Sequence, residues 1–259
     1  MITEEERNLL TQTGKGTLCG ELMRRYWQPA ALSAELAADK PFAVQLFGEE
    51  LVLFREADGK PALIGRYCAH QGVDMIYGRV EPDGLRCMYH GWLFDNCGRV
   101  VLRGDWLPEK ERRWDVGQPS YPCVEAGGII FTYMSPGEPP GLPGSGMLAN
   151  LPVEDVVTKE LYSENYLQQL TEVNQASPDG VKFVVPNILA WDDGKSAASS
   201  WLRWHVPVDD NSHVEFTLRH DGGLPFAGQP RQSALQTLLA ATETIRANRQ
   251  IAATPGEHR

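Results

Sequence analysis

The sequence lacks several features that would assign a protein to a class at once. No apolar run approaches the roughly 20 residues that a membrane-spanning helix needs. No basic stripe is present, and the net charge of −10 gives nothing to displace the counterions of a nucleic acid. There is no P-loop, no glycine-rich dinucleotide fingerprint and no Gly-x-Ser-x-Gly nucleophile elbow. We therefore expect neither a membrane nor a nucleic-acid partner.

The hydrophobic patterning predicts a mainly β fold of the α+β class. Between residues 42 and 133 short apolar runs alternate with Gly, Pro and Asp turns, as in a small antiparallel β domain. Residues 161–220 are again rich in strand-forming runs. Two short helices are predicted at 3–26, where Thr3 with Glu6 forms a capping box and Thr17 can cap the second helix. Another helix is predicted at 231–249, where apolar residues recur at helical spacing.

A segment rich in Pro and Gly at residues 135–146 continues neither a helix nor a central strand, and it is the natural linker. The sequence thus predicts an N-terminal helical segment at 1–40, a β domain at 41–146 and a second domain at 147–259.

Two short motifs carry the chemistry of the chain. Cys68-Ala69-His70 and Cys87-Met88-Tyr89-His90 each place one thiol and one imidazole close together. A Rieske [2Fe–2S] cluster uses this donor set, with two Cys on one iron and two His on the other. Cys68, His70, Cys87 and His90 are therefore the predicted metal and cofactor ligands.

A structural zinc site is the alternative, because two Cys and two His also satisfy tetrahedral zinc. Zinc fingers usually group both Cys in one knuckle and both His on a helix, whereas here each motif holds one of each. The spacing favours the iron–sulfur interpretation.

Three cysteines remain outside these motifs, Cys19, Cys97 and Cys123. An odd remainder is typical of free thiols in a reducing compartment rather than of a disulfide framework. The acidic start, Glu4-Glu5-Glu6, lacks the basic and apolar regions of a signal peptide. The expected localisation is cytoplasmic.

Residues 22–140 resemble the N-terminal half of a Rieske non-haem iron aromatic ring-hydroxylating oxygenase of the phthalate-dioxygenase-like branch. The stretches that carry the resemblance are 22–29, 48–55, 77–79, 85–95 and the run 121–134. The resemblance implies a Rieske domain followed by an oxygenase-type antiparallel sheet with a C-terminal helix. It also implies a flavin- or ferredoxin-type reductase as electron donor, an aromatic substrate and a homotrimer.

In this family a second, mononuclear Fe(II) is bound by Asp-x-x-His-x-x-x-x-His on a helix after Asn-x-Leu-Gln. The leading segment is present as Asn165-Tyr166-Leu167-Gln168, but Gln175 and Pro178 stand at the Asp and first His positions. No His occurs between His90 and His205. We interpret this as an internal deletion between about residues 171 and 181, which shortens the second domain and leaves the catalytic residues unknown.

Other side chains that could rebuild an iron site are few: His205, Asp209, Asp210, His213 and His220. Asp209-Asp210-Asn211 is first of all a typical turn. Two functions therefore stay open. One is an oxygenase component that hydroxylates an aromatic compound, and the other is an electron-carrying or catalytically degenerate Rieske protein without the mononuclear iron.

Overall fold

The computed structural model describes residues 2–102, 116–143, 148, 157–176, 181–192, 200–220 and 233–253. The chain divides into two compact units. One comprises Met1–Tyr26 and Leu151–Arg259, and the other comprises Trp27–Asn150. The domain boundaries expected from the sequence stay predictions, because contacts within one chain do not test independent folding.

Short strands dominate the described residues, as the patterning predicted, and the mainly antiparallel α+β fold class is confirmed. The helices are α1 (Glu4–Thr11), α2 (Leu18–Arg24), α3 (Tyr166–Ala176) and α4 (Ala234–Ala253). The strands are β1 (Gln28–Leu32), β2 (Phe42–Leu46), β3 (Glu49–Arg55), β4 (Pro61–Gly65), β5 (Arg79–Glu81), β6 (Gly84–Arg86), β7 (Leu93–Phe94), β8 (Val100–Leu102), β9 (Ser120–Tyr121), β10 (Cys123–Ala126), β11 (Ile129–Thr132), β12 (Val157–Tyr162), β13 (Lys182–Val184), β14 (Ile188–Asp192), β15 (Ser200–Pro207) and β16 (His213–His220).

Both N-terminal helices begin where the sequence places a cap. Thr3 Oγ1 accepts the Glu6 N–H at 3.2 Å, and Glu6 Oε2 accepts the Thr3 N–H at 2.7 Å, which completes a capping box on α1. Thr17 Oγ1 accepts the Gly20 N–H at 3.0 Å and caps α2. These bonds satisfy amide groups that the first turn of a helix leaves without partners.

The unit that contains the chain termini is built on a five-stranded antiparallel sheet in the order β12-β16-β15-β14-β13. Helix α3 packs against β15, and α2 packs against α4. The fully buried Tyr166 of α3 donates its hydroxyl to Leu10 O at 2.9 Å and lies 3.1 Å from Cys19 Sγ. Arg249 of α4 pairs with Glu21 of α2 at 2.6 Å. The N-terminal helices are thus integral to this unit.

The unit Trp27–Asn150 contains three small antiparallel sheets among its described residues. Their strand orders are β1-β11-β10, β2-β3-β4-β9 and β5-β6-β7-β8. A shared apolar core includes Val52, Phe54, Ile64, Met75, Leu85 and Phe94, and it also includes Cys68, Cys87 and Trp92. The two motifs therefore open onto the core, one in the connection from β4 to β5 and the other between β6 and β7.

Candidate metal centre

The two motif segments, residues 68–73 and 87–92, close with the same backbone hydrogen bond. The Cys68 N–H donates to Val73 O at 2.8 Å, and the Cys87 N–H donates to Trp92 O at 2.7 Å. Each bond joins the first residue of a six-residue loop to the last. The chain therefore builds two loops of equal span, each beginning with a buried cysteine.

A glycine turns each loop at its fifth position. Gly72 has φ 70° and Gly91 has φ 69°, in the left-handed region that residues with a Cβ rarely adopt. In this conformation the Gly72 N–H donates to Cys68 O at 2.7 Å, and the Gly91 N–H donates to Cys87 O at 3.0 Å. The glycines after the two His are thus required by the loop geometry.

The four predicted ligands come together as two like pairs. The Cys68 and Cys87 thiols are hydrogen-bonded to each other and buried, with 4% and 2% of each residue exposed. The His70 and His90 rings lie edge to face, with centroids 4.7 Å apart, and both residues are half-buried. Sulfur donors therefore lie on the core side and nitrogen donors nearer the surface.

The hydrogen bond between the two thiols shifts their pKa values in opposite directions. The hydrogen bond with Cys68 lowers the pKa of Cys87 to about 6, and backbone N–H groups of Tyr89 and His90 add to that effect. The same thiol–thiol bond, together with burial, raises the pKa of Cys68 far above its ordinary value. One thiolate is therefore available near neutral pH, and thiolate is the form of cysteine that binds metal.

Aromatic side chains fix the imidazoles from two sides. Trp92 stacks on His70 with centroids 4.6 Å apart and planes within 5°. Tyr89 lies against His90 with a centroid separation of 3.9 Å, and it is 62% exposed. Trp92 belongs to the second loop and His70 to the first, so the stack ties the loops together.

This donor set fits a [2Fe–2S] group better than a single ion. In the part of the chain that the structure describes, no three Cys, His, Asp or Glu side chains gather closely enough to surround one ion. A Rieske cluster needs no such group, because each iron takes only two protein ligands. The pairing of thiol with thiol and imidazole with imidazole matches that division.

An ion pair that the sequence reasoning missed supports the second loop. Arg86 Nη1 donates to Gly91 O at 2.6 Å, while Arg86 Nε and Nη2 each donate to a Glu81 oxygen at 2.7 Å. The sequence signal was an Arg directly before Cys87, with a carboxylate, Glu81, five residues earlier. Spacing alone did not reveal that its side chain would reach the loop carbonyl.

The remaining cysteines lie elsewhere and, like the two ligand cysteines, are free thiols in the structure. Cys97 is exposed in the turn after β7, where its N–H donates to Asp95 Oδ1 at 2.9 Å. Cys123 begins β10, and burial raises its pKa to about 12. Cys19 is buried beside Tyr166.

In the other unit, β15 and β16 place His205 and His213 on one face. His213 Nδ1 donates to Glu164 O at 2.8 Å, so its Nε2 is the acceptor that faces His205 Nδ1 at 3.4 Å. Glu215 Oε2 lies 3.8 Å from the same His205 nitrogen. This trio does not form a group able to enclose one ion within the described residues.

The two aspartates and the third His considered for a rebuilt iron site are used elsewhere. Asp209 Oδ1 accepts the Asn211 N–H at 2.8 Å and forms the predicted turn. Asp210 Oδ1 accepts the Thr13 N–H at 2.8 Å. His220 lies at the far end of β16, opposite Ser200. These three side chains are thus not brought to the His205–His213 pair.

Helix α3 occupies the place where the resemblance implies the iron-binding helix. It begins directly after Asn165, whose Oδ1 accepts the Leu167 N–H at 3.0 Å. Its sequence, Tyr-Leu-Gln-Gln-Leu-Thr-Glu-Val-Asn-Gln-Ala, contains no His and no Asp. Pro178, at the expected first His position, lies outside the described residues.

Comparison with known proteins agrees with this geometry. Residues 26–111 match the model of the Rieske [2Fe-2S] domain. Over 144 residues the chain is 46% identical to the phenoxybenzoate dioxygenase subunit alpha of Ectopseudomonas oleovorans, covering 55% of this chain and 35% of that protein.

The chain contains a Rieske [2Fe-2S] domain, and the curated proteins that it resembles include oxygenase subunits of aromatic dioxygenases. A second relative of this Rieske protein extends further along the chain. It is the tert-butanol monooxygenase / tert-amyl alcohol desaturase oxygenase subunit of Aquincola tertiaricarbonis, 34% identical over 221 residues, covering 80% of this chain and 46% of that one. The chain thus spans less than half the length of either curated relative.

The fold of the Rieske protein is also found in solved structures. The fluorene-bound oxygenase and ferredoxin complex of carbazole 1,9a-dioxygenase matches with a TM-score of 0.63 and 16% identity. The match covers 97% of this chain and 89% of that chain. Both described units therefore have counterparts in an oxygenase fold. No helix among the described residues is long and apolar enough to cross a membrane.

Proposed function

We propose that this chain is an oxidoreductase of the Rieske oxygenase type. It accepts electrons from a flavin- or ferredoxin-type reductase and supports hydroxylation of an aromatic compound. The observation that carries the proposal is the pair of matched loops, which bring Cys68 and Cys87 together in the core and His70 and His90 together nearer the surface. When bound at these four side chains, a Rieske cluster supplies one-electron transfer.

The chain's own residues give that site its properties. The buried cysteines keep the sulfur side away from water, and backbone N–H groups of His70 and Gln71 hydrogen-bond to Cys68. Such N–H bonds to ligand sulfur are among the features that set a cluster's potential. The half-buried imidazoles provide the side from which an electron-transfer partner can approach.

The residues present do not fit the mononuclear iron that the family implies. That site takes two His and one carboxylate with open positions, but α3 carries neither His nor Asp. We therefore assign electron transfer to this chain and assign the hydroxylation step to none of its residues. An electron-carrying Rieske protein without the second iron is accordingly the second candidate.

Partners and compartment belong to the same proposal. The complex of ferredoxin with the carbazole dioxygenase oxygenase supports a small redox protein or reductase as electron donor. The aromatic substrates in the names of several relatives support an aromatic compound as the final acceptor of oxygen. We further propose a homotrimer, and the cytoplasm as the compartment, where Cys19, Cys97 and Cys123, the cysteines outside the site, are stable as free thiols.

Iron and acid-labile sulfide, measured on purified protein, test the proposal. We expect about two irons and two sulfides per chain for a carrier and about three irons for a complete oxygenase. Cys87→Ser should remove the visible colour and the paramagnetic signal of the reduced protein, whereas Cys97→Ser, at an exposed thiol outside the centre, should keep both. Unchanged spectra in Cys87→Ser, or stoichiometric zinc without sulfide, would refute the assignment.

A turnover assay separates the two candidates. Protein with reductase, NADH and a panel of aromatic carboxylates should give no hydroxylated product if the second iron is absent. Product formation that disappears in Cys87→Ser would instead establish the oxygenase activity in this chain.

A further inference from the structure

The base of the second loop carries a charged pair that the proposed function leaves unexplained. Arg86 directly precedes the ligand Cys87, and its Nη1 donates to Gly91 O at 2.6 Å, next to the ligand His90. Its Nε and Nη2 each bind an oxygen of Glu81 at 2.7 Å. The Arg86 guanidinium therefore lies between the second loop and the Glu81 carboxylate.

The β5–β6 hairpin fixes this arrangement. In this hairpin Arg79 pairs with Arg86, and Glu81 pairs with Gly84. Glu81 therefore lies near one arginine of each strand. Arg79 also forms an ion pair with Glu81. The Arg86 and Glu81 side chains are only 23% and 16% exposed, which restricts their motion and reduces screening by solvent.

Glu81 stays ionised over the working pH range. The Arg86 guanidinium beside it lowers the pKa of this carboxyl to about 2. An arginine remains protonated at any ordinary pH. The pair therefore presents two permanent charges of opposite sign, with the positive one in direct contact with the loop.

We propose that Arg86 and Glu81 are positioning residues that set the reduction potential of the [2Fe–2S] site in opposite directions. The inference rests on the proposed function. Reduction adds one electron, and so one negative charge, to the group held by the four ligands. The Arg86 charge favours that added electron, and the Glu81 charge opposes it.

A merely structural role for the pair predicts something different. If Arg86 and Glu81 only held the loop in shape, removing either partner would loosen the same ion pair. Both substitutions would then move the potential in the same direction. Opposite shifts are the signature of a charge effect.

The experiment is a reductive titration with dithionite at constant pH and salt, followed by visible absorption and by the paramagnetic signal of the reduced protein. Arg86→Gln should make reduction less favourable by about tenfold, as expected for one charge roughly 10 Å away near a protein surface. For a one-electron couple, tenfold corresponds to 59 mV. Glu81→Gln should make reduction more favourable by about threefold to tenfold.

Two further variants complete the test. Arg86→Lys keeps the charge and should stay within about twofold of the wild type. Arg99→Gln removes an equal charge from Arg99, an exposed side chain that pairs with Asp95 in the turn after β7, and it should have no effect of comparable size. Equal-direction shifts for Arg86→Gln and Glu81→Gln, or no shift in either, would overturn the inference.

The outcomes distinguish this inference from the proposed function. A wild-type protein that holds no cluster would overturn both. A wild-type protein that holds a cluster, but shows the wrong pattern of shifts, would overturn only the role of the pair. If Arg86→Gln loses its cluster, Glu81→Gln still decides, because it leaves the Arg86–Gly91 bond in place and must raise the potential.

Discussion

Trp92 and His70 lie face to face although they belong to different loops. Their rings are 4.6 Å apart and nearly parallel, and the indole is 1% exposed. The backbone carbonyl of Trp92 also accepts a hydrogen bond from the Cys87 N–H. One side chain thus holds the orientation of an imidazole from the first loop, while its backbone closes the second.

Substitutions at Trp92 distinguish its contribution to core packing from its stacking on His70. Trp92→Leu should lower the free energy of unfolding by about 2–3 kcal/mol, because a large buried side chain is truncated. It should also release bound iron faster, since His70 loses its aromatic support. Trp92→Phe keeps an aromatic ring in place and should lose iron at a rate closer to the wild type. Chemical denaturation followed by circular dichroism, and bleaching by a chelator, measure the two effects; equal bleaching in both variants would contradict the stacking role.

The left-handed glycines give a second prediction. Gly91→Ala places a Cβ at φ 69°, where the nearest heavy atom is Arg86 Nη1 at 3.7 Å. No clash results, so the cost is conformational, about 1 kcal/mol. Gly72→Ala meets no atom within 4 Å and should cost the same amount. Thermal unfolding of the metal-free protein tests this; a loss above about 3 kcal/mol in either variant would show that space, rather than backbone conformation, is limiting.

The buried His205–His213 pair predicts a pH dependence of stability. Burial, with the neighbouring His213 and Arg203, lowers the pKa of His205 from an ordinary 6.5 to about 3, and burial also lowers the pKa of His213. Below about pH 6.5 the unfolded chain binds protons that the folded chain does not. The free energy of unfolding should therefore be complete above about pH 6.5 and fall as the pH decreases, by about 1.4 kcal/mol per pH unit for His205. His213 should add a contribution of the same sign.

Urea denaturation between pH 7 and 5 tests this, because most carboxylates stay ionised in both states over that interval. His205→Gln should flatten the dependence. His220→Gln, on strand β16, is the control for replacing a histidine and should leave it in place. A wild-type stability that does not change from pH 7 to 5 would contradict the prediction.

The sequence predicted those features that depend on local patterns. The Thr3–Glu6 capping box, the Thr17 cap and the turn at Asp209 are all confirmed. Each depends on a side chain bonding to backbone two or three residues away, so spacing suffices to predict it. The C-terminal helix was also predicted, but it covers Ala234–Ala253 rather than 231–249. Residues 231–232 lie outside the described residues, Ser233 is not helical, and the last turn of the helix was missed.

Other features depend on where separate segments meet, and spacing could not predict them. The motifs predicted the four candidate ligands, and that assignment stays a prediction; they did not predict that the two thiols would pair in the core. The stack of Trp92 on His70 joins two loops, and the bond from Arg86 to Gly91 depends on the hairpin that brings Glu81 alongside. The linker expected at 135–146 lies partly outside the described residues.

The exposure of the four ligands has a consequence for how the centre is lost. Cys68 and Cys87 are almost completely covered, while His70 and His90 are only half-buried. A chelator or an oxidant that diffuses in from the buffer therefore encounters nitrogen before sulfur. The rate at which the centre is lost in air should therefore depend on how well His70 and His90 are covered, for example by Tyr89 against His90, more than on the free energy of unfolding.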